Sequence, residues 1–475
     1  MFKKINYRFL LLFLLVQSLI FSLFSFSGGT GTLADPYNIT TCQHLQDMNL
    51  DLAANYTLGS DIDCTGFNFN PIGNCTGRCD PFGNPFTGSF NGNFNSIFNL
   101  TIDASGYEVN DGWGLFGYVF FGTVSNVTLE NVLVLANTSS SVGSLIGDSS
   151  FMNPIVNVHS QGYVYGSNAV GGLIGSTDTL IINSSFTGNV SGNSNVGGLS
   201  GGSGSIRDSN SDASVIGISN VGGLSGGTSG LSNSSFSGSV TGITRVGGLA
   251  AIVTAMGGSS IKNSFSSGIV VGEDVVGGLA AILRGQLWPS VINNSYSNAS
   301  IIGNNSVGGL VGDSYISLIS NSYFSGSLSG NSSVGGLIGL NNNTNISNSF
   351  TTSSVTGVDL STTGSLIGEL ISGTMFNNFW NNISQNPTGA VGLGSSSGIN
   401  VIQDDVSHFY DSSNSPFNGN WNSNLWNFTG NNLPYLSWQE NPYLVSEVPN
   451  QSTASLFPIG GMVVSLLLVL GFLFF

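Results

Sequence analysis

The chain has 475 residues, of which 68 are glycine and only 7% are charged, and its formal net charge at pH 7 is −16. Eight basic residues against 24 acidic ones give a surface that repels phosphate backbones, which argues against nucleic-acid binding. The acidic surface favours solubility. It would bind cations such as calcium only loosely, and this is no evidence for a specific site, so we expect no cofactor.

Residues 1–27 have the pattern of a secretory signal peptide. Lys3, Lys4 and Arg8 precede a long apolar run, and Ser25–Ser27 provides small residues around a cleavage position. The run is long enough for an uncleaved membrane anchor, which is the alternative. We expect cleavage and export.

Residues 28–110 are predicted to form an N-terminal cap with the first coils, and they contain all four cysteines. An even number of cysteines in an exported chain favours disulfides. We predict that Cys42 pairs with Cys64 and that Cys75 pairs with Cys79. A zinc site made of four thiolates is the alternative, although the spacing lacks two Cys-x-x-Cys pairs.

Residues 40–54 are predicted to cover the open end of the first coil. Leu45, Met48, Leu52 and Ala53 recur at helical spacing, with polar residues between them. Such a cover is needed because the end of a stack exposes unpaired strand edges and core side chains.

The tetrapeptide Val-Gly-Gly-Leu, with looser variants, recurs every 25 to 31 residues within residues 111–385. A period in this range marks a repeat architecture, in which each unit buries its apolar face against its neighbours. We expect the repeated leucines to form one column in the core, made of Leu145, Leu173, Leu199, Leu224, Leu249, Leu279, Leu310, Leu337 and Leu366.

A second column of asparagines follows most of these motifs by about thirteen residues. Coils stacked about 4.8 Å apart would place these side chains in a ladder, with each amide bonding the next. The alternative is that asparagine simply suits turns. Asp208 interrupts the column but keeps an acceptor oxygen. The predicted ladder consists of Asn126, Asn157, Asn183, Asn233, Asn263, Asn294, Asn321, Asn348 and Asn378.

The composition of the repeats predicts strands rather than helices. They are rich in Val, Ile, Ser, Thr and Phe and poor in Ala, Glu and Lys. Val and Leu stand three residues apart, so we expect a bend or bulge at the permissive Gly pair to turn both inward. We predict three short strands and three turns per coil, in a parallel β-helix of about ten coils rather than a propeller, whose blades need about 40 residues.

Residues 386–440 are irregular and aromatic, and are predicted to plug the far end of the solenoid. A sugar-binding face is the alternative for the same rings. These aromatic residues are Phe409, Tyr410, Phe417, Trp421, Trp426, Phe428, Tyr435 and Trp438.

The C-terminal residues are predicted to form a stalk (441–455) and a transmembrane segment (456–475). The last segment is apolar and uncharged, and about twenty such residues can span a bilayer. A removable signal for a glycolipid anchor is the alternative. Many Asn-x-Ser/Thr sequons occur along the chain; although chance explains some, we expect sequons on turns to be glycosylated.

The sequence offers no constellation of catalytic or metal-ligating residues. Asp148, Asp313 and Glu369 share one position of the repeat but do not lie on adjacent coils, as paired carboxylates or calcium ligands would. His44, His159 and His408 are scattered, without the spacing of a metal site. We also expect Asp61 and Asp63 to be structural, with calcium binding as the alternative. No catalytic residue is predicted, and the chain is expected not to be an enzyme.

The repeats resemble the GLUG motif of bacterial and archaeal surface proteins. The resemblance extends to Gly31–Tyr37, Asp61–Asp63, Phe86–Asn93 and Gly114–Gly117, and covers roughly residues 28–440. It implies a right-handed parallel β-helix at the cell surface, often in adhesin-like proteins, and it transfers no catalytic residues.

These patterns predict an extracellular β-solenoid that is anchored in the membrane and acts as an adhesin or a structural interaction protein. The expected partners are the membrane, through the C-terminal segment, and a glycan or cell-surface protein. The alternative is a carbohydrate-active enzyme, a polysaccharide lyase or hydrolase, of the same fold.

Overall fold

The computed structural model describes most of the chain and shows an all-β parallel β-solenoid of about ten coils. The described residues are 26–74, 83–104, 112–255, 257–381, 387, 389–394, 400–404, 406–411, 413–414, 421–429 and 432–439. Several predicted features lie outside the described residues. They are the stalk, the transmembrane segment, most of the signal peptide and the Cys75–Cys79 pair. Within these ranges, no helix is both long and apolar enough to cross a membrane.

The coils that begin at Ser194, Ser219, Thr244 and Asp274 each contain five short strands, where three were predicted; in the other complete coils some of these strands are continuous, which leaves three or four. In the coil that begins at Ser219, the strands are Ser219–Gly222, Ser225–Thr228, Gly230–Ser232, Ser235–Phe236 and Ser239–Thr241. Serine, asparagine and glycine interrupt the apolar residues of this coil every few positions, so its strands are only two to four residues long. Each strand pairs in parallel with its equivalents on the coils before and after.

The strands form five columns along the solenoid. The first column is a nine-stranded sheet that contains the Val-Gly segments: Ser140–Val142, Asn168–Gly171, Ser194–Gly197, Ser219–Gly222, Thr244–Gly247, Asp274–Gly277, Asn305–Gly308, Ser332–Gly335 and Thr363–Gly364. The second column follows the leucines: Phe116–Phe120, Ile146–Ser150, Ile174–Thr177, Ser200–Gly202, Ser225–Thr228, Ala250–Ala255, Ala280–Gly285, Val311–Ser320, Ile338–Ser347, Ile367–Ser372 and Val391–Leu393. Val311–Ser320 and Ile338–Ser347 continue into the third column.

The other strands complete the coils. The third column comprises Ile155–Tyr165, Leu180–Ile182, Ser205–Arg207, Gly230–Ser232, Ser260–Lys262, Ser290–Asn293 and Met375–Asn381. The fourth comprises Ser185–Ser191, Asn210–Ser211, Ser235–Phe236, Phe265–Ser266, Tyr296–Ser297, Tyr323–Phe324, Phe350–Thr351 and Asn400–Asp404. The fifth comprises Ser214–Ile216, Ser239–Thr241, Ile269–Val271, Ser300–Ile302, Ser327–Gly330 and Ser354–Gly357.

The core is a continuous apolar filling between these columns. All nine leucines of the predicted core column are fully buried, and so are the valines of the Val-Gly-Gly-Leu motifs. In the fourth column the inward positions vary between Phe236, Phe324 and serines such as Ser266. Because every coil shares its core with the next, no coil is a separate hydrophobic unit.

The Gly pair serves a different purpose from the one predicted. Neither Gly171 nor Gly172 has a positive φ; the left-handed residue lies before the valine, as at Ala169 with φ of 49°. The glycines are needed for space, because a Cβ on Gly172 would lie 2.2 Å from the Gly198 carbonyl oxygen and 2.3 Å from the Phe186 ring. The predicted bend is present at Gly172 and Leu173, and Val170 and Leu173 both point inward as expected, but the bend does not use a positive φ of glycine.

The N-terminal cap consists of a short helix and the first strands. The α-helix Cys42–Asp47 begins at Thr41, whose hydroxyl accepts from the backbone N–H of His44. A 3₁₀-helix, Met48–Leu50, follows it. Leu45 and Met48 join the core. The strands of this region are Tyr37–Ile39, Asn55–Leu58, Ile62–Asp63, Ser89–Phe98, Thr101–Asp103 and Thr123–Leu135.

The structure confirms the predicted disulfide of the cap but corrects the predicted extent of its helix. The predicted bond between Cys42 and Cys64 is present and ties the helix to the end of the strand Ile62–Asp63. The helical period predicted as far as Ala53 is wrong, because the chain leaves the helix before it: Ala53 is exposed and Ala54 is buried. Further 3₁₀ turns lie at Leu360–Thr362 and Val406–Tyr410, and Trp426–Asn427 pairs antiparallel with Tyr435–Leu436.

Candidate functional site

A stack of aromatic rings runs along the outside of the fourth column. Phe265, Tyr296, Tyr323, Phe350 and Phe379 occupy one register position on successive coils. Ring centres lie 5.0 Å apart between Phe265 and Tyr296 and 4.9 Å apart at the next two steps, and these planes are within 4° of parallel. We call these five residues the aromatic stack. Their spacing is the coil repeat itself, so the backbone sets the ring contacts.

The described residues between 406 and 439, which we call the strap, cover this stack. Trp421 and Trp426 pack on Phe350, with ring centres 5.9 and 5.7 Å away. Trp421 Nε1 donates to the Asn377 carbonyl at 3.3 Å. The prediction that these aromatics plug the solenoid end is therefore wrong: the described ones lie along its side, on the aromatic stack. Phe417 lies outside the described residues.

The strap runs back along the solenoid for several coils. Gln439 Nε2 donates a hydrogen bond to the Tyr323 hydroxyl at 3.0 Å. Trp438 Nε1 donates to the Asn294 carbonyl at 3.0 Å, although 144 residues separate the two in sequence. Trp438 also lies 5.9 Å from Tyr296 and 6.4 Å from Phe265, centre to centre. The strap thus reaches the Phe265 end of the aromatic stack.

The asparagine column forms side-chain hydrogen bonds between coils. Asn157 Nδ2 donates to Asn126 at 2.8 Å, and Asn183 donates to Asn157 at 2.7 Å. Asn233 donates to the Asp208 carboxylate at 2.9 Å, and Asn263 donates to Asn233 at 3.1 Å. Asp208 has no proton to pass to Asn183, so the chain of bonds stops there.

The same residues all have left-handed backbones. Asn126, Asn157, Asn183, Asn263 and Asn348 have φ between 45° and 56°, a conformation that asparagine tolerates better than most residues. The two explanations of the asparagine column, a ladder and a preference for turns, therefore apply together.

Two predicted members of the ladder behave differently. Asn294 has the left-handed backbone, but its amide makes no ladder bond within the described chain, and Asn321 donates to Asn293 instead. Asn378 was assigned one residue too far along: Asn377 has the positive φ and donates to Asn348 at 3.5 Å. The Asn-Asn pair at 377–378 made both positions fit the sequence pattern.

A second, buried ladder of serines was not predicted. The backbone N–H of Ser234 donates to Ser264 Oγ, and that of Ser264 donates to Ser295 Oγ, both at 3.2 Å. Each hydroxyl also donates to a carbonyl two residues before it, as Ser264 does to Lys262 at 2.8 Å. Asn378 takes this inner position on a later coil, where its Oδ1 accepts from the Ser349 N–H. The serine that follows each position of the asparagine column from Asn183 to Asn348 was the available signal.

An acidic cluster lies outside the second column. Asp313 is 8% exposed, and its Oδ1 has no hydrogen-bond partner in the described chain. Burial raises its pKa to about 6, against the lowering effects of Ser306 and Arg284. The Arg284 guanidinium carbon lies 4.9 Å from the centre of the Tyr315 ring. This cluster lies in the long coils where extra turn residues occur.

Glu369 belongs to the same cluster. It is in register with Leu340, which is in register with Asp313, so one coil separates the two acids. Ser333 Oγ donates to Glu369 at 3.2 Å, and the Glu369 charge adds to the raised pKa of Asp313. Asp148 is in register with Tyr118 and Ser176 and takes no part.

The remaining candidates have structural surroundings. Asp63 accepts from Thr65 and Asn99, and the Thr65 hydrogen bond in particular lowers its pKa. Asp61 accepts from the backbone of Ser96 at 2.8 Å. His159 Nδ1 lies 2.8 Å from Ser185 Oγ. Among the described residues, no three His, Cys, Asp or Glu side chains are grouped as metal ligands would be.

Comparison with known proteins gives partial similarities. No protein-family model matches the chain, so the resemblance to GLUG proteins rests on the sequence motifs. Halomucin from Haloquadratum walsbyi is 34% identical over 163 residues, which is 32% of this chain and 2% of halomucin. The chain therefore matches a small fraction of that protein's length. A solved structure from Bacteroides ovatus, provisionally described as an immunoglobulin A1 protease, is 19% identical with a TM-score of 0.27, covering 87% of this chain and 96% of its own.

Proposed function

We propose that this protein is an extracellular, membrane-anchored β-solenoid that acts as an adhesin or structural interaction protein and has no catalytic activity. The observation that carries the proposal is the row of asparagine amides along the solenoid, which recurs on most coils and is interrupted at Asp208. A rigid row at a fixed spacing binds a repeating polymer at several points at once, which raises affinity without a deep pocket. A glycan or a cell-surface protein is the proposed partner.

Three observations support the extracellular location. The Cys42–Cys64 disulfide is the kind of bond that persists in oxidising compartments. The first residues have the pattern of a signal peptide. The similarity to halomucin also favours a surface location. The membrane partner rests on the apolar residues 456–475.

Display on intact cells tests the proposal. Cells that express the full chain are expected to bind immobilised glycans or neighbouring cells, and to lose this binding when an external protease removes the protein. A chain that stays inaccessible to protease until the cells are opened would contradict the surface location. A surface chain that binds nothing would reduce the proposal to a purely structural coat.

The second candidate function is a carbohydrate-active enzyme, which the Asp313 cluster favours. Asp313 and Glu369 lie two coil steps apart, so their backbones are about 9.6 Å apart. This backbone spacing is close to the carboxyl separation of about 6.5–9.5 Å in inverting glycosidases. A raised pKa is also typical of a general acid. If this candidate is correct, Asp313→Asn and Glu369→Gln will each abolish release of new sugar ends, and the Asp148→Asn control will not.

A further inference from the structure

A cavity lies where the strap ends against the solenoid. Its volume is about 290 Å³, and it is lined by Asn233, Ser234, Ser235, Asn263, Phe265 and Trp438. One wall belongs to the strap and the others belong to two successive coils. Residues that are far apart in sequence therefore enclose it.

The cavity continues the aromatic stack by one missing ring. Phe265 is in register with Ser235 on the preceding coil, and Ser235 is in register with Asn210 on the coil before that. The stacked rings lie nearly parallel, so their faces point along the solenoid axis. One face of the Phe265 ring is turned toward the preceding coil, where Ser235 occupies the position that an aromatic ring occupies in the rest of the stack. We call this space the slot.

The slot has the thickness of one ring. Coils repeat at about 4.8 Å, and the rings of the stack lie 4.9 to 5.0 Å apart. A flat ligand stacked on Phe265 would lie in the plane of the coil that contains Ser235. The next coil beyond it contains Asn210. The Trp438 ring is tilted by 33° from Phe265 at 6.4 Å and closes the side of the slot.

The polar lining suits a guest with hydroxyl groups at its edge. Asn233 uses one N–H on Asp208 and one lone pair on Asn263, and so keeps one of each for a guest. The Ser235 hydroxyl makes no hydrogen bond within the described chain, so it can donate as well as accept. Donors and acceptors thus surround an apolar ring face, which is the usual design of a small-molecule site.

We propose that the slot binds a single pyranose ring of a glycan, stacked on Phe265 and held at its side by Trp438. A pyranose has a flat C–H face for the phenyl ring and a rim of hydroxyls for Asn233 and Ser235. The base of a nucleotide would also stack on the Phe265 ring, but the carboxylate of Asp208 would repel the phosphate of the nucleotide. This inference rests on the proposed glycan-binding function and names its site.

Saturation-transfer NMR on the full-length chain tests the slot. The probes are the methyl glycosides of the common hexopyranoses and hexuronic acids. Ser235→Phe would supply the missing ring and fill the slot, so it is expected to weaken binding at least 10-fold. Ser354→Phe places the same ring on an exposed serine of another column and is expected to bind as the wild type does. Phe265→Ala, which removes the floor, is expected to lose binding as well.

The outcomes separate the slot from the wider proposal. Loss of binding in both slot variants, with circular dichroism unchanged, supports the slot. If Ser235→Phe and Phe265→Ala bind as well as the wild type, the slot is rejected, whereas glycan binding by the protein stands. If no methyl glycoside binds the wild-type chain, the slot is rejected. If the chain also retains no polysaccharide, the glycan-binding function is rejected with it.

Discussion

Asparagine performs two physical roles at the corner between the third and fourth columns. Its backbone takes the left-handed conformation that turns the chain, as at Asn263 with φ of 48°, and its side-chain amide donates to the preceding coil. Asp208 meets the backbone requirement with φ of 52° but can only accept. The sequence therefore revealed the column, whereas the choice between Asn377 and Asn378 depended on backbone angles that a pair of identical residues conceals.

Glycine in the Gly pair is required by close packing, which predicts a strong contrast between two substitutions. A Cβ on Gly223 would lie 2.1 Å from the Gly248 carbonyl oxygen and 2.4 Å from the Phe236 ring, whereas one on Gly227 would meet nothing within 4 Å. Gly223→Ala is expected to lower the free energy of unfolding by about 3 kcal/mol, and Gly227→Ala to change it by less than about 1 kcal/mol. Denaturant unfolding measures both, and equal effects would contradict this account.

The buried serine ladder predicts a cost for removing one hydroxyl. Ser264→Ala leaves the Ser234 N–H without its acceptor, whereas the Lys262 carbonyl still accepts from the Asn233 N–H. One unsatisfied buried group costs about 1–3 kcal/mol. Ser267→Ala, at an exposed serine nearby, is the matched control. Hydrogen exchange is expected to accelerate at the Ser234 amide in the first variant only. Unchanged protection there would show that the ladder does not stabilise the turn.

Asp313 predicts a pH-dependent stability. Because burial raises its folded-state pKa from 3.8 to about 6, the folded chain holds this proton more tightly than the unfolded chain does. The stabilisation is fully present below about pH 4 and is lost as the pH rises through 6. Asp313→Asn removes this loss. As the pH rises from 4 to 7, the free energy of unfolding of the variant is therefore expected to increase by up to about 3 kcal/mol relative to that of the wild type. Thermal unfolding at both pH values tests it, and a constant difference between the two proteins would be the contrary result.

At the scale of elements, the strap is held by aromatic burial on the side of the solenoid. Trp426 is 1% exposed and lies 4.6 Å from Trp421 and 5.7 Å from Phe350, centre to centre. Trp426→Ala is expected to cost about 3–5 kcal/mol of local stability and to release the strap. Limited proteolysis is then expected to cut within residues 406–439, with Trp288→Ala, at a 65% exposed residue, as the control. A strap that stays protected in Trp426→Ala would contradict this prediction.

The position of the strap could not be predicted from the sequence, although its aromatic content could. Aromatic side chains indicate that a segment will be buried, but not which surface buries it. The outward Tyr296, Tyr323 and Phe350 alternate with inward residues in two-residue strands, where period alone does not assign the face. Once their rings stack outward, they require a cover, and the strap provides it.

At the scale of the whole molecule, the repeat period was enough to predict the parallel solenoid. Val170, Val196 and Val221 pair in register because each returns after one coil, and the buried leucine column follows from the same period. The number of strands per coil was not predictable, since each corner depends on single Ser, Asn or Gly positions and some corners are bridged by a continuous strand. The slot was equally hidden, because it needs Trp438 and Phe265 to meet across the fold.

The most direct test of this account is to incubate the purified full-length chain with a panel of polysaccharides and cell-surface glycans. Retention of the chain and release of new sugar ends are measured in the same samples. The account predicts retention on at least one glycan without any release of sugar ends. Release that depends on Asp313 and Glu369 would contradict it in favour of an enzyme, and the absence of both retention and release would contradict the glycan-binding function.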